Sequence, residues 1–289
     1  DGPAGLRLAK EYYEDGKGKH AVGNALMPDS IMEMLSGPMK LVMSLMGGSS
    51  KPKPGCEIKT QYCTAIPIGT ALAQSFDTDF VQRCGDIVGE EMEHFGVHLW
   101  LAPALNIHRS IRCGRNFEYY SEDPLVSGKM AAAMTRGVQA HKGCGTTIKH
   151  YAANNKEYNR YRNNSIVSER AMREIYLKGF GICVREAQPK AVMTSYNLLN
   201  GTHTAESRGL IMDILRAEFG YEGIVMTDWV TPMADTRSAH RDSQAQYVAA
   251  AGGDLFMPGS KGDYDNLLQG IDSGAVTLEQ VKINASRVV

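Results

Sequence analysis

A carboxylic acid closes a short apolar run near the end of the chain. Residues 224–226 are Ile, Val and Met, and they follow a turn marked by Gly220 and Gly223, which is the pattern of a buried strand. Asp228 comes two residues after the run, and Trp229 follows it directly. Packing gives little reason for a carboxylate where a buried strand meets solvent. Asp228 is therefore either a catalytic group or a structural one, such as a cap or half of a salt bridge.

Strand-like runs alternate with helical patterns from residue 64 onward. This alternation predicts βαβ units and a parallel sheet. Several such units without a phosphate-binding glycine fingerprint favour a TIM-type (β/α)8 barrel over a doubly wound sheet, with the first one or two strands irregular or upstream of Asp1. The strand patterns are residues 65–68, 97–102, 146–150, 191–196, 224–226 and 254–257, and helical patterns begin near residues 78, 124, 168, 208, 243, 266 and 278.

Polar and aromatic residues follow four of these strand patterns. In a (β/α) barrel the active site lies at the carboxyl ends of the strands, so these residues are expected to meet at one face. Cationic side chains donate to hydroxyl groups and aromatic rings offer a flat apolar face, which suits a polyhydroxylated ligand. The residues, in order, are Arg109, Arg112, Arg115 and Glu118, then Lys149 and His150, then Ser195, Tyr196 and Asn197, then Asp228 and Trp229.

Each of these positions also has a structural interpretation. His150 could be a core histidine with its hydrogen bonds satisfied, and Lys149 could extend from the barrel rim to solvent. Arg112 and Arg115 could be solvated or paired with neighbouring glutamates. Tyr196 and Trp229 could be core aromatics.

The composition disfavours several classes of partner. A net charge of −1 without basic segments argues against nucleic acid and anionic membranes. No apolar run approaches the ~18 residues of a membrane helix. The six cysteines form no CxxC pair and His150 has no second histidine at ligand spacing, so we expect no metal and no other cofactor. Scattered cysteines and the lack of a signal pattern favour a cytoplasmic location, although Cys56 and Cys63 could pair if their geometry allows.

The first 55 residues have the least regular pattern. Residues 29–46 could form a Met-rich helix, either as adaptable core or as a flexible insertion, and residues 47–54 have the composition of a loop. The chain opens on a turn sequence and stops inside a helical pattern, so we expect it to be truncated at both ends.

Five motifs follow one another over nearly the whole chain. They are Asp1-Gly2-Pro3-x-Gly5-Leu6-Arg7, Gly114-Arg115-Asn116-Phe117-Glu118 running into Ser121-Glu122-Asp123-Pro124, Ile148-Lys149-His150-Tyr151, Ser195-Tyr196-Asn197-x-x-Asn200-Gly201, and Gly220-Tyr221-x-Gly223 through Asp228-Trp229. Together they resemble the N-terminal barrel domain of family-3 glycoside hydrolases, a group with many microbial β-glucosidases. The resemblance implies a retaining, exo-acting β-glycosidase that removes non-reducing terminal β-D-glucosyl residues from a small β-glycoside or oligosaccharide. A β-xylosidase or related exo-glycosidase, and a non-catalytic carbohydrate-binding barrel, are the alternatives. A Schiff-base aldolase using Lys149 fits the strand-end spacing but not the motifs.

The resemblance also implies roles for individual residues. Asp228 would be the nucleophile, Tyr196 would lie beside it, and Trp229 would form one wall of the sugar subsite. We expect the nearby cationic side chains to keep Asp228 ionised by lowering its pKa. The residues that would bind the sugar hydroxyls are Asp1, Arg115, Lys149, His150 and, as a further member, Arg160.

The acid/base of the reaction has no match in this sequence. In most of the family it is a glutamate from a second, α/β sandwich domain, for which residues 1–289 show no pattern. Glu118, Glu122 and Glu157 lie near the motifs but match no acid/base position, and the segment after Lys149-His150 lacks the His–Asp pair of the bacterial N-acetylglucosaminidases. We therefore expect residues 1–289 to be a single barrel domain whose partner is that sandwich domain of the same protein, and to be weakly active or inactive alone.

Overall fold

The computed structural model describes residues 2, 4–22, 54–160, 163–229 and 241–289. Two compact units are present, one of Asp1–Ala4 with Ile66–Val289 and the other of Gly5–Ala65. Asp1 and the Met-rich segment 29–46 lie outside the described residues. All six cysteines are described, and Cys56 and Cys63 do not form a disulfide with each other.

The smaller unit contains a three-stranded antiparallel sheet in the order β2-β1-β3. A two-residue turn joins the first two strands, and Asp15 Oδ1 accepts a hydrogen bond from Lys17 N at 2.8 Å, as acidic turn residues commonly do. The strands are β1 (Glu11–Asp15), β2 (Gly18–Ala21) and β3 (Lys59–Thr60).

The larger unit is built on a parallel sheet in the order β10-β7-β5-β4. A bridge between Met226 and Leu255 adds a fifth parallel position. Every residue of β5 and β7 is buried, as expected for strands that are covered on both faces. The parallel strands are β4 (Leu99–Trp100), β5 (Gly145–Tyr151), β7 (Ala191–Thr194) and β10 (Ile224–Met226). A separate small sheet contains β6 (Asn164–Ser165), β8 (Leu198–Leu199) and β9 (Thr202–His203).

Helices connect these strands. Asp77 caps the helix that begins at Thr78, because its Oδ1 accepts from Phe80 N at 2.9 Å. No helix in the described ranges is long and apolar enough to cross a membrane. The α-helices are Gly69–Ala73, Thr78–Phe95, Pro124–Gln139, Glu169–Ala171, Lys178–Ala187, Ala245–Ala250, Lys261–Ser273 and Leu278–Ser286. π-Helical segments span Met172–Tyr176 and Gly209–Glu218, and 3-10 turns span Asn116–Glu118 and Thr204–Glu206.

The helices and the sheet share one core. The helices Thr78–Phe95 and Pro124–Gln139 approach so closely that a Cβ on Gly137 would clash with Gln82 O. The rings of Tyr151 and Phe180 meet edge to face with centroids 5.1 Å apart, which packs the helix Lys178–Ala187 against β5. This core holds the strands that carry the candidate site.

A buried ion cluster anchors the amino end of β10. The Asp254 side chain is fully buried and accepts from Arg216 Nη2 at 2.6 Å and from Arg287 Nη1 at 2.8 Å. Its Oδ2 also accepts from Val225 N at 2.7 Å. Burial lowers the pKa of Arg216, while the Asp254 charge acts in the opposite direction. One carboxylate therefore ties the helical segment Gly209–Glu218, the C-terminal Arg287 and β10 together.

The predicted alternation is present from Leu99 onward, with differences at two strands. Residues 65–68 are not a strand, and the predicted strand at 254–257 is represented by the bridge at Leu255. The segment predicted as a helix from Arg208 is helical but adopts π geometry over Gly209–Glu218.

Candidate active site

The carboxyl ends of the neighbouring strands β5, β7 and β10 lie level with one another. Met193 of β7 pairs with Met226 of β10, and Tyr196 and Trp229 each follow that pair by three residues. The Tyr196 hydroxyl donates to Trp229 O at 2.9 Å. Sheet register therefore places the polar residues that follow each strand at one edge, as a (β/α) barrel requires.

A cavity of about 170 Å³ opens at this edge. Asp1 is outside the described residues, and every other residue to which the family resemblance assigned a role lines the cavity. Five other residues that follow strand patterns are not among its lining residues: Arg109, Arg112, Glu118, Ser195 and Asn197. Sequence reasoning missed two apolar members, Leu101 and Met193; the period-2 alternation along a strand is the signal that could have placed Met193 at this wall. The lining residues are Leu101, Arg115, Lys149, His150, Arg160, Met193, Tyr196, Asp228 and Trp229.

Asp228 is the single carboxylic acid among the described residues that line the cavity. It is 6% exposed, and its Oδ1 accepts from Trp229 N at 2.8 Å. Its Oδ2 is buried and has no hydrogen-bond partner among the described residues. The carboxylate thus has one oxygen held by the backbone, while the other lies 3.8 Å from His150 Nε2.

The predicted direction of the Asp228 pKa is wrong. Burial raises the pKa of Asp228, and this effect exceeds the lowering by the Trp229 N–H and by Arg115, Lys149 and Arg160. The cationic side chains act in the expected direction, but the loss of hydration outweighs them. Sequence alone could not show this balance, because it depends on how completely the fold buries the carboxylate.

His150 is both a buried histidine with hydrogen-bond partners and a cavity residue. It is 1% exposed, and Asn106 contacts both its backbone and its Nδ1. Its Nε2 lies 3.8 Å from Asp228 Oδ2. Burial lowers the pKa of His150 well below its usual range, and Arg115, Lys149 and Arg160 act in the same direction. The ring is therefore neutral at neutral pH, and the two interpretations of His150 are compatible.

Glu118 positions two of the cationic side chains. Arg115 Nε donates to Glu118 Oε1, and Lys149 Nζ lies 4.0 Å from Glu118 Oε2. Burial lowers the pKa of Arg115, but the Glu118 charge and hydrogen bond help to raise it above its ordinary value overall. Arg115 therefore stays charged, and Glu118 holds both cationic side chains in place. The sequence spacing of Arg115 and Glu118 had allowed this pairing.

Arg160 is held on its other side by Glu157 and by an aromatic ring. Its Nη1 donates to Glu157 Oε2 at 2.9 Å, and its guanidinium lies 4.6 Å from the Tyr196 ring centroid. Asn154 Nδ2 in turn donates to Glu157 Oε1 at 3.1 Å. Glu157 and Asn154 had no predicted role, and no spacing pattern pointed to them. The described residues contain no group of three or more His, Cys, Asp or Glu side chains able to hold a metal ion.

Most of the chain matches a known protein family. The N-terminal domain of glycosyl hydrolase family 3 matches residues 53–289. The chain belongs to glycosyl hydrolase family 3. The α/β, TIM-type barrel predicted from the sequence is the fold of this family-3 domain, and its parallel strands β4, β5, β7 and β10 carry or flank the cavity.

Similar proteins are named β-glucosidases. The chain is 51% identical to β-glucosidase A of Butyrivibrio fibrisolvens over 166 residues, which is 57% of this chain and 20% of that protein. It is 40% identical to a β-glucosidase of Rhizobium radiobacter over 225 residues, 78% of this chain and 26% of that protein. The solved β-glucosidase 3B of Thermotoga neapolitana in complex with α-D-glucose superimposes with a TM-score of 0.76 at 34% identity, over 98% of this chain and 33% of that one. The family-3 chain thus spans a fifth to a third of the length of these proteins.

Proposed function

We propose that the cavity is the nucleophile and sugar-binding part of a retaining, exo-acting β-glucosidase site. The observation that carries the proposal is Asp228, a buried carboxylate beside cationic side chains at a strand end, with one oxygen that has no hydrogen-bond partner within the described part of the chain. The names of the similar proteins support glucose as the terminal sugar, and so does the glucose-bound neighbour.

In this mechanism Asp228 attacks the anomeric carbon. The bond from that carbon to the glycosidic oxygen breaks as the bond to the Asp228 carboxylate forms, and an acid about 5–5.5 Å away protonates the leaving oxygen. In the second step, water attacks the anomeric carbon and the bond to Asp228 breaks. The group that protonated the leaving oxygen in the first step now acts as the base and removes a proton from this water. The raised pKa of Asp228 leaves it a stronger base and nucleophile than an exposed aspartate, provided that the pH is high enough to ionise it.

The remaining cavity residues fit a single sugar ring. A volume of about 170 Å³ is below the roughly 300–1,000 Å³ of pockets for drug-sized ligands, which suits one terminal residue and exo action. Arg115, Lys149 and Arg160 offer donors for hydroxyl groups, and interactions that tighten in the oxocarbenium-like transition state speed the reaction. Trp229 is 39% exposed and can cover one face of the ring. The family resemblance adds Asp1 as a further sugar ligand.

The acid/base is proposed to come from another part of the protein. Glu118 is engaged by Arg115 and Lys149, and Glu157 is engaged by Arg160 and Asn154, so each already serves as an acceptor that holds a cavity residue. The family resemblance assigns the acid/base to an α/β sandwich domain. The greater length of the similar proteins is consistent with such a domain.

Replacement of Asp228 in the full-length protein tests the proposal. Asp228→Ala should lower kcat for a p-nitrophenyl β-D-glucoside by about four orders of magnitude or more, as removal of a covalent nucleophile does in other enzymes. Asp213 is an exposed aspartate on the helical segment before β10, so Asp213→Ala is the matched control and should retain activity. Turnover that survives Asp228→Ala at the control's level would refute the nucleophile assignment.

Binding separates catalysis from simple sugar recognition. Calorimetry with glucose should show binding to both the wild type and the Asp213→Ala variant. Glucose binding without any β-glucosidase turnover by the full-length protein would instead point to a non-catalytic carbohydrate-binding barrel.

A further inference from the structure

Asn106 fixes both the backbone and the ring of His150. Its Nδ2 donates to His150 O at 2.8 Å, and its Oδ1 accepts from His150 N at 2.8 Å. The same Oδ1 lies 3.3 Å from His150 Nδ1. Asn106 is 3% exposed and His150 is 1% exposed, so water does not compete for these contacts. The His150 carbonyl needs a donor and the His150 N–H needs an acceptor. These two contacts together determine which end of the Asn106 amide is nitrogen and which is oxygen.

This orientation determines the tautomer of His150. An amide oxygen only accepts hydrogen bonds, so Nδ1 must carry the proton that it shares with Asn106. A neutral imidazole has one ring proton, and Nε2 is then a bare acceptor. The ring is neutral at neutral pH because burial, and then the charges of Arg115, Lys149 and Arg160, lower its pKa.

The acceptor nitrogen faces a second acceptor. His150 Nε2 lies 3.8 Å from Asp228 Oδ2, and that oxygen has no hydrogen-bond partner among the described residues. Two acceptors without a proton cannot form a hydrogen bond with each other. A hydroxyl placed between them or against Nε2 would donate a hydrogen bond to the histidine. The other tautomer would put an N–H against Asp228 and occupy the oxygen that the reaction needs.

We propose that Asn106 is a positioning residue that holds His150 as the Nδ1–H tautomer, so that Nε2 accepts a hydrogen bond from a hydroxyl of the bound sugar and leaves Asp228 Oδ2 free. The sugar as ligand rests on the proposed function, but the tautomer does not. The titratable and charged groups around the ring are Asp228, Arg115, Lys149 and Arg160, together with Tyr119, whose ring lies edge-on at 6.3 Å.

Nitrogen NMR of the full-length protein with 15N-labelled histidine tests the tautomer directly. The signals of His150, assigned by their loss in His150→Gln, should show a protonated Nδ1 and an unprotonated Nε2 at pH 7 without any sugar. A protonated Nε2 in the unliganded wild type would overturn the inference, whatever the activity of the protein.

Two variants test the role of Asn106. Asn106→Leu removes the acceptor, so the ring should switch to the Nε2–H tautomer facing Asp228, and glucose should bind about tenfold more weakly, the loss of roughly one hydrogen bond. Asn106→Asp keeps the acceptor and adds a charge, so Nδ1 should stay protonated and the pKa of His150 should rise. If the leucine variant does not fold, the aspartate variant decides, and an unchanged His150 pKa in it would contradict the inference.

Asn197→Leu, a neutral replacement matched to Asn106→Leu, is the control. Asn197 is 1% exposed and donates to Ala152 O at 3.3 Å and Leu198 O at 3.1 Å, so it supports the same region through hydrogen bonds to groups other than the His150 ring. Its replacement should lower stability but leave the His150 tautomer and pKa unchanged, which separates positioning from general structural damage. The predicted tautomer in a protein that neither binds glucose nor hydrolyses β-glucosides would refute the proposed function and leave the tautomer assignment intact.

Discussion

Replacement of Asp254 by asparagine tests whether β10 depends on a buried charge at its amino end. The Asp254 carboxylate has no exposed side-chain surface and holds Arg216, Arg287 and the Val225 N–H at 2.6, 2.8 and 2.7 Å. Asparagine keeps the shape but leaves two largely buried guanidinium groups without a counter-charge. Removal of one partner of a buried ion pair costs about 3–5 kcal/mol. For a domain of this size that loss lowers Tm by roughly 6–20 °C.

Thermal unfolding followed by circular dichroism measures this change. The matched control is Asp265→Asn, which breaks an exposed pair in which Lys261 Nζ lies 2.9 Å from Asp265 Oδ1 and the two side chains are 84% and 55% exposed. An exposed pair of this kind contributes about 0–1 kcal/mol. If Asp254→Asn lowers Tm no more than the control does, the cluster does not anchor the strand and the reasoning fails.

Two further predictions follow from pKa directions. Arg160 lowers the pKa of Asp228, so Arg160→Gln should raise that pKa and move the acid limb of the kcat/KM–pH profile to higher pH, and a limb that stays or moves to lower pH would contradict the electrostatics. For His141, burial lowers the pKa, but hydrogen bonds to Asp86 and Glu93 raise it overall. Its stabilising contribution is therefore present below the ordinary histidine pKa and is lost as pH rises through the folded-state value. The Tm deficit of His141→Gln should be larger at pH 6 than at pH 9, and a deficit independent of pH would refute this prediction.

The sequence predicted the elements whose local signals agree with the fold. The helix predicted to begin near residue 78 starts at Thr78 with Asp77 as its cap, and Ser168 caps the helix predicted to begin near residue 168 through a hydrogen bond from Ala171 N. The apolar run before Asp228 is a strand, and its register with β7 places Tyr196 and Trp229 together. At these positions the local sequence preferences and the tertiary packing favour the same secondary structure.

Other features depend on packing that no local pattern encodes. The strand pattern at residues 65–68 does not form a strand, although Ile66 N donates to Ala4 O at 3.0 Å, because apolar alternation alone does not supply a full partner strand. The π geometry of Gly209–Glu218 is likewise not visible in an amphipathic period. The pKa of Asp228 rises because burial outweighs three cations, a comparison of magnitudes that needs coordinates. Asn106 contacts His150, which is 44 residues away in the sequence, and Glu157 contacts Arg160, which is 3 residues away. The spacing of these residues in the sequence did not predict a role for Asn106 or Glu157.

Covalent trapping tests the assignment of the nucleophile most directly. The full-length protein would be incubated with an activated 2-deoxy-2-fluoro-β-D-glucoside, which slows hydrolysis of the glycosyl-enzyme, then digested and analysed by mass spectrometry. The assignment predicts one fluoroglucosyl adduct, located on Asp228. An adduct on another carboxylate, such as Glu118 or Glu157, would contradict it.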